Sequence, residues 1–429
     1  MAIWSIPLLV ILMVIGVPVA WSFAGVLAFM VFVFEPNFNT LLLQGFRSLD
    51  SIILLALPLF VLTGYLMQSG GIAKRLVDFI ELLVMGRRGG MGSSMILASS
   101  VFGAISGTAT AAVASIGTIM IGPLEERGYP RGYSSALLGM SSLLGILIPP
   151  SITLILFGVV TRQSITALFA ATIGPALLLM LGLIIFNRLC AGRLFKEDLV
   201  NVKGANRKSA SKITLSALPA LCMPLVILGG IYGGICTPTE AAAVAVVMAI
   251  CIGMFIYKDL SFSRLKNSIV SAGETTGTII LILLFSFMIG RILTAERVPQ
   301  EITEAIMTMF NDPLIILIVV NIFLIVAGAL MDDLTVTVVI APLFMPLMIA
   351  TGVDPVHYAS IVACSVVIGA NSPPVAPILY MACRIGKVSI HESIMPALYL
   401  IALVGIPVML VTTFVPELSL FLPRMLGVL

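Results

Sequence analysis

Long apolar runs separated by short polar breaks set the pattern of this chain from end to end. A helix needs roughly 20 apolar residues to cross the hydrocarbon layer of a bilayer. Segments at about 3–34, 50–69, 132–160 and 164–188 meet that length in the first half. Those at about 213–232, 238–257, 270–293, 356–384 and 389–415 do so in the second. Two further apolar stretches, 92–123 and 315–350, are interrupted, the first by the small polar cluster Ser106-Gly107-Thr108-Ala109-Thr110. Short amphipathic pieces at 72–85 and 298–310 come just before them, where interfacial arms bracing a mobile unit would lie. The run from Ile3 has no basic leader and no small-residue cleavage site before Trp21, so it reads as a retained span.

Charge fixes the orientation. The one sizeable hydrophilic loop, 189–212 with its flank, carries Arg188, Arg193, Lys196, Lys203, Arg207, Lys208 and Lys212 against Glu197 and Asp198. Such an excess of Lys and Arg faces the cytoplasm. Arg87, Arg88, Arg127, Arg131, Lys258, Arg264, Lys266, Arg384 and Lys387 then also fall inside, while Glu296, Glu301, Glu304, Asp312 and Asp354 fall outside. Every basic cluster lands on one face only if 92–123 and 315–350 each enter and leave on the same side. Both are therefore expected to be re-entrant hairpins. The predicted fold is an all-α polytopic membrane protein with about nine full spans, its N-terminus cytoplasmic and its C-terminus periplasmic.

The two halves also match residue by residue. Gly103 through Thr110 lines up with Gly328 through Thr335, and Ser141, Gly145 and Pro149-Pro150 line up with Ser365, Gly369 and Pro373-Pro374. Gly64 matches Gly290, and Pro18 matches Pro238. Five crossings separate equivalent points, and an odd number turns the second copy upside down in the membrane. The expected organisation is a first inverted repeat over 1–188 with its hairpin at 92–123, the cytoplasmic loop 189–212, and a second repeat over 213–429 with its hairpin at 315–350.

Composition agrees and narrows the class. Hydrophobic residues make up 60% and charged residues 10% of 429, too little charge to cover a soluble protein of that size. The net charge of +3 sits in short loops, and no basic stripe suggests a nucleic-acid partner. Cys190, Cys222, Cys236, Cys251, Cys364 and Cys383 stand singly in or beside apolar segments, with neither metal-ligand nor disulfide spacing. They read as small hydrophobes, and no transition-metal site or cofactor is expected.

The breaks at membrane depth carry the candidate chemistry. An unpaired backbone group in hydrocarbon costs several kcal/mol, so irregular chain survives there only where it lines protein or a wet cavity. Freed carbonyls together with Ser and Thr hydroxyls suit a hard monovalent cation such as Na⁺, and helix N-termini suit a carboxylate. One expected Na⁺ site uses Gly103, Ser106, Gly107 and Thr108 with Gly145 and Ile148. Its counterpart uses Gly328, Asp332, Asp333 and Thr335 with Gly369 and Ser372. Ser106, Thr110, Pro150, Asp332, Pro374 and Arg291 are the candidates for holding an anionic substrate. A carboxylate near the midplane costs about 2.5–3.5 kcal/mol on insertion scales, which marks Asp332 and Asp333 as functional. The blander readings are that one Asp caps the second helix of its hairpin, that Arg291 snorkels at a helix end, and that the hydroxyls bond back to their own helices. Glu240 in Thr237-Pro238-Thr239-Glu240 reads as a helix cap, and His357 and His391 form no catalytic pair. A proton relay through the Asp pair is the alternative to sodium coupling.

At several of these motifs the chain resembles the large membrane subunit, the M subunit, of the tripartite ATP-independent periplasmic (TRAP) transporters. The matching stretches are Gly229 through Ala241, Ser106-Gly107-Thr108-Ala109 through Gly122-Pro123-Leu124-Glu125, and Leu147-Ile148-Pro149-Pro150-Ser151. The likeness spans essentially the whole chain. It implies a sodium-driven secondary transporter of the bacterial inner membrane with the ion-transporter-superfamily fold, a fixed scaffold and a hairpin-bearing part that moves as an elevator. It also implies a small Q subunit in the membrane and a periplasmic binding protein, the P subunit, that delivers an organic acid of the sialic acid or C4-dicarboxylate class. No G-x-x-x-x-G-K-[ST] phosphate loop occurs in the sequence.

Overall fold

The structure is a computed structural model and describes residues 4–84, 86–193, 195, 207–373 and 375–429. Among them every regular element is helical. Eight helices are long and apolar enough to cross a membrane, and the pair Arg131–Leu147 and Ile152–Thr161, bent by 43° at its break, makes a ninth. Two of the eight, Pro313–Leu330 and Asp333–Ala350, are the arms of the second hairpin. The shorter apolar helices Val19–Phe34, Gly90–Ser106 and Pro355–Gly369 complete the pattern. The chain is thus the all-α polytopic membrane protein its hydropathy predicts.

The most buried helices are not the most hydrophobic ones. Gly90–Ser106 and Arg131–Ser142 are rich in Gly and Ser, and nearly all their residues are buried. By contrast Leu215, Leu225, Val247 and Phe255, on the strongly apolar helices Arg207–Tyr232 and Pro238–Cys251 with its π-helical continuation, are exposed. Lipid tails are as apolar as leucine, so close packing rather than hydrophobicity drives helices together in a bilayer, and small residues allow it. Some of their hydroxyls bond back to their own helix: Ser94 Oγ donates to the Gly90 carbonyl at 3.1 Å and Ser100 Oγ to the Ile96 carbonyl at 2.8 Å.

Two expected spans differ. The run 3–34 is broken into Ser5–Val14 and Val19–Phe34 by Gly16, whose φ of +92° favours glycine, and by Pro18. A Cβ on Gly25 would lie 3.3 Å from Leu12 Cδ1. Thirteen residues of continuous helix would hold those positions about 20 Å apart, so the first helix doubles back on the second. The other difference is Phe262–Ala295, an unbroken helix of 34 residues rather than a span confined to 270–293. Its counterpart in the first half is divided into Phe38–Leu49, the turn at Asp50-Ser51, the 3₁₀ turn Ile52–Leu55 and Ala56–Ser69. Phe38–Leu49 packs on the long helix through Gly45, where a Cβ would meet Leu284 at 2.9 Å.

The arms form as amphipathic helices at Ile72–Val84 and Val298–Met309. The first buries Ile72, Ala73, Leu76, Val77 and Ile80, a stripe at helical spacing. Its polar side is tied at both ends. Arg75 pairs with Asp259 at 2.6 Å and lies over the Tyr257 ring, while Glu81 accepts from Arg127 at 2.5 Å. One helix thereby links the loop after Pro238–Ile256 to the base of the first hairpin. Beyond that base, Arg131 donates to Glu125 at 2.6 Å, and this hydrogen bond holds the Glu125 carboxyl below its ordinary range. Thr237 and Glu240 form the expected capping box at the start of Pro238–Cys251. Of the loop 189–212, the helices Ile165–Arg193 and Arg207–Tyr232 occupy the flanks, and Lys196, Glu197, Asp198 and Lys203 lie outside the described residues.

Candidate transport site

Each hairpin tip is made by one local event. Gly90–Ser106 stops because Gly107 turns left-handed, with φ +68°, and returns its N–H to the Gly103 carbonyl at 2.9 Å. Thr108 is extended and caps Ala109–Glu126, its Oγ1 accepting from the Ala111 N–H at 3.3 Å. In the second half Pro313–Leu330 stops at Met331, and Asp332 takes the position that Thr108 holds in the first. The Asp332 carboxylate accepts the Thr335 hydroxyl. A π-helical turn, Val336–Ile340, follows at once, the kind of local widening that recurs at functional sites.

Each tip meets the break of its own copy through a pair of glycines. A Cβ on Gly103 would lie 2.5 Å from the Gly145 Cα, and a Cβ on Gly145 would lie 3.0 Å from the Thr108 carbonyl oxygen. In the second copy a Cβ on Gly369 would lie 2.7 Å from the Gly328 Cα. At Gly103 and Gly369 backbone against backbone leaves no room for a side chain, and at Gly145 and Gly328 a Cβ would still sit closer than ordinary contact, at 3.0 and 3.2 Å. The first tip is also stitched to the far side of its break, the Ile152 N–H donating to the Gly107 carbonyl at 3.1 Å. Gly103, Gly107, Thr108 and Gly145 therefore converge, and so do Gly328 and Gly369. Ile148 is half-buried at the start of the first break, and Ser372, in the second, donates its hydroxyl to the Ile368 carbonyl at 2.8 Å.

Both tips border one cavity of about 850 Å³. Ser106, Thr108 and Thr110 line it from the first hairpin, and Asp332 and Asp333 from the second. Gly64, Tyr65 and Gln68 of Ala56–Ser69 close it opposite, with Thr275 and Thr278 of the long helix. Tyr65 and Thr275 share a hydrogen bond of 2.9 Å across that wall. Ser106 is buried against Gly64, and its hydroxyl finds no partner among the described residues, so it is free to take a ligand.

Not every candidate is gathered there. Arg291 is exposed and lines a separate cavity of about 540 Å³ with Ser286, Gly290 and Pro299, so the structure does not bring it to the tips. Pro150 is buried beneath the first tip, its carbonyl 2.8 Å from where a Gly107 Cβ would sit. Pro374 lies outside the described residues. Gly290, matched to Gly64 by sequence, has nothing within 4 Å of its Cβ direction, whereas Gly64 faces the Ser106 Cβ at 3.3 Å. Two residues were missed by sequence reasoning. Thr153, just past the first break, donates to Asp333 Oδ2 at 2.9 Å and so joins one copy's break to the other copy's tip. Asn371 is fully buried inside the second break. A polar residue facing a leucine at the equivalent repeat position was the signal available for Asn371; for Thr153 there was none.

Fold and site together define a polytopic membrane permease built around two hairpins and two broken helices. Comparison with known proteins makes the class specific. Residues 6–418 match the family described as Tripartite ATP-independent periplasmic transporter, DctM component, and the chain belongs to that family. The C4-dicarboxylate TRAP transporter large permease protein DctM of Pseudomonas aeruginosa is 34% identical over 93% of this chain and 93% of its own length. The sialic acid TRAP transporter large permease protein SiaM of Vibrio cholerae is 32% identical over 96% and 95%. The isethionate TRAP transporter permease protein DctMQ of Oleidesulfovibrio alaskensis is 34% identical, and this chain spans 64% of that longer protein. In fold, the chain is similar to the Alcanivorax borkumensis YdaH transporter, with a TM-score of 0.64 over 89% of each chain at 14% identity. The family consists of transporter permeases, not enzymes.

Proposed function

We propose that this chain is the large permease of a sodium-coupled, binding-protein-dependent importer of a small organic acid, working by an elevator movement. The observation that carries the reading is the meeting of both hairpin tips, each fused to its own helix break by a glycine pair, at one cavity. Such a locus offers backbone carbonyls, the unpartnered Ser106 hydroxyl, and the Asp332 and Asp333 carboxylates, a hard-oxygen set suited to Na⁺. The relatives named above act on a C4-dicarboxylate, sialic acid and isethionate, which share an anionic head group. Their names, one of which joins the M and Q designations, support a small Q partner and a periplasmic P partner. The partition into repeats over 1–188 and 213–429 belongs to the same reading, with Val19–Phe34, Ala56–Ser69 and Phe262–Ala295 in the scaffold and the hairpins in the moving part.

The cavity borders include Gln68, shortly before the helix Ile72–Val84 that carries Arg75, and Met381, on the helix Pro377–Gly386 that carries Arg384. On the positive-inside rule this is the cytoplasmic side, so the arrangement is inward-facing. Each net positive charge carried inward gains about 2.3 kcal/mol per 100 mV of membrane potential.

The test is uptake by the chain reconstituted with its partners in liposomes, where an inward Na⁺ gradient should be required. Ser106→Ala and Asp332→Ala should each weaken sodium activation. Uptake that ignores Na⁺ and follows a pH gradient would replace the reading with proton coupling through Asp332 and Asp333.

A further inference from the structure

The second helix break contains a buried amide with nothing to bind. Asn371 is 0% exposed, and neither its Oδ1 nor its Nδ2 has a hydrogen-bond partner among the described residues. The nearby hydroxyls are already committed, Ser372 to the Ile368 carbonyl and Ser142 to the Gly139 carbonyl. The amide is pressed against Gly139 of the other copy's broken helix, where a Cβ would lie 2.8 Å from Oδ1 and 3.3 Å from Nδ2. One helical turn from Gly139, Ser135 is also fully buried with an unpartnered hydroxyl, but its Oγ lies against Gly386.

The molecule contains its own control. The register that pairs Ser141 with Ser365, Gly145 with Gly369 and Pro149 with Pro373 also pairs Leu147 with Asn371 and Ala363 with Gly139. On one side of the crossing, therefore, an equivalent position is filled by leucine and its partner helix carries alanine, both buried. An apolar side chain fits this architecture. An unsatisfied buried donor or acceptor costs about 1–3 kcal/mol, so an amide held there without an occupant would be a net loss. A single buried water needs two to four polar partners. Oδ1 and Nδ2 supply two of them, an acceptor and a donor, and a water satisfies both ends of the amide where a bare cation satisfies only the oxygen.

We infer that Asn371 is a positioning residue for the second cation locus: both ends of its amide hold a buried water at the crossing of the two broken helices, and that water pins the Gly369–Ser372 turn. The inference rests on the sodium-coupled reading above. Its role is asymmetric, since the first locus, with Leu147 and Ala363 at the matching positions, lacks the device.

The experiment is thermal unfolding of the purified full chain in NaCl against choline chloride at equal ionic strength. The variant is the double substitution Asn371→Leu with Gly139→Ala, which copies the packing already present on the other side. It should melt in choline at or above the wild-type temperature, because two unsatisfied polar atoms are gone. The Na⁺ concentration giving half the stabilising shift should rise about tenfold or more, the loss of a polar contact that serves an ion. An unchanged half-saturation would overturn the assignment, as would a double variant that melts well below wild type in choline. A wild-type chain whose melting ignores Na⁺ altogether would remove the sodium-coupled reading itself, and this inference with it.

Discussion

Alanine at Gly103 puts the tip geometry to its most direct test. The added methyl would lie 2.5 Å from the Gly145 Cα and 2.9 Å from its nitrogen. Ordinary contact between such atoms lies near 3.5–4.0 Å, so the hairpin and the broken helix must part by about 1 Å. Both neighbours are backbone, so no rotamer change relieves the clash, and both helices are buried. Overpacking of this kind costs about 1–3 kcal/mol. The same substitution at Gly277 or Gly290, in the long helix, meets nothing within 4 Å and gains about 0.5–1 kcal/mol of helix propensity. Thermal unfolding of the detergent-solubilised chain should therefore rank Gly103→Ala below wild type and Gly277→Ala at or above it. Uptake should fall with Gly103→Ala alone. If Gly103→Ala melted and transported like wild type, the tip and the break would not be in contact and the glycine-pair argument would fail.

Three other outcomes follow from the same geometry. Cysteines at Thr108 and Asp333, which line the same cavity, should react together with a membrane-impermeant probe from the cytoplasmic face in the inward state, and labelling of only one of the two would refute the shared cavity. Gly290 stands open where Gly64 packs on Ser106, so Gly290→Cys with Met331→Cys should crosslink only when the carrier is driven outward. A crosslink that forms equally in the inward state would break the link between the two copies. Glu81→Gln should cost about 0.5–1 kcal/mol by removing the partner of Arg127 at 2.5 Å, with the loss shrinking as salt is raised. No change in melting at low salt would show that the arm is not a tether.

Hydropathy and charge determined the class of this protein and most of its elements. Period and length predict the spans, because burying a helix in lipid is a property of the segment alone. Counting Lys and Arg identified the interrupted stretches 92–123 and 315–350, and the repeat singled out Gly103, Gly145, Gly328 and Gly369 before any contact was visible. Local capping chemistry was equally legible at Thr237-Pro238-Thr239-Glu240.

Tertiary structure decided what depends on two segments meeting. Whether 3–34 continues or doubles back turned on Gly25 receiving Leu12, since Gly16 and Pro18 permit either. Whether Phe262–Ala295 runs unbroken, while its counterpart splits at Asp50, depended on the neighbour Phe38–Leu49 lying along it. Arg291 reads as a substrate ligand from its charge, yet the helix carries it to another cavity. The bond from Thr153 to Asp333 joins residues far apart in the chain and in different copies, and Asn371 faces Gly139 across a similar separation. A sequence encodes the cost of placing each residue in the membrane, but which oxygens face one another is set by how the helices cross.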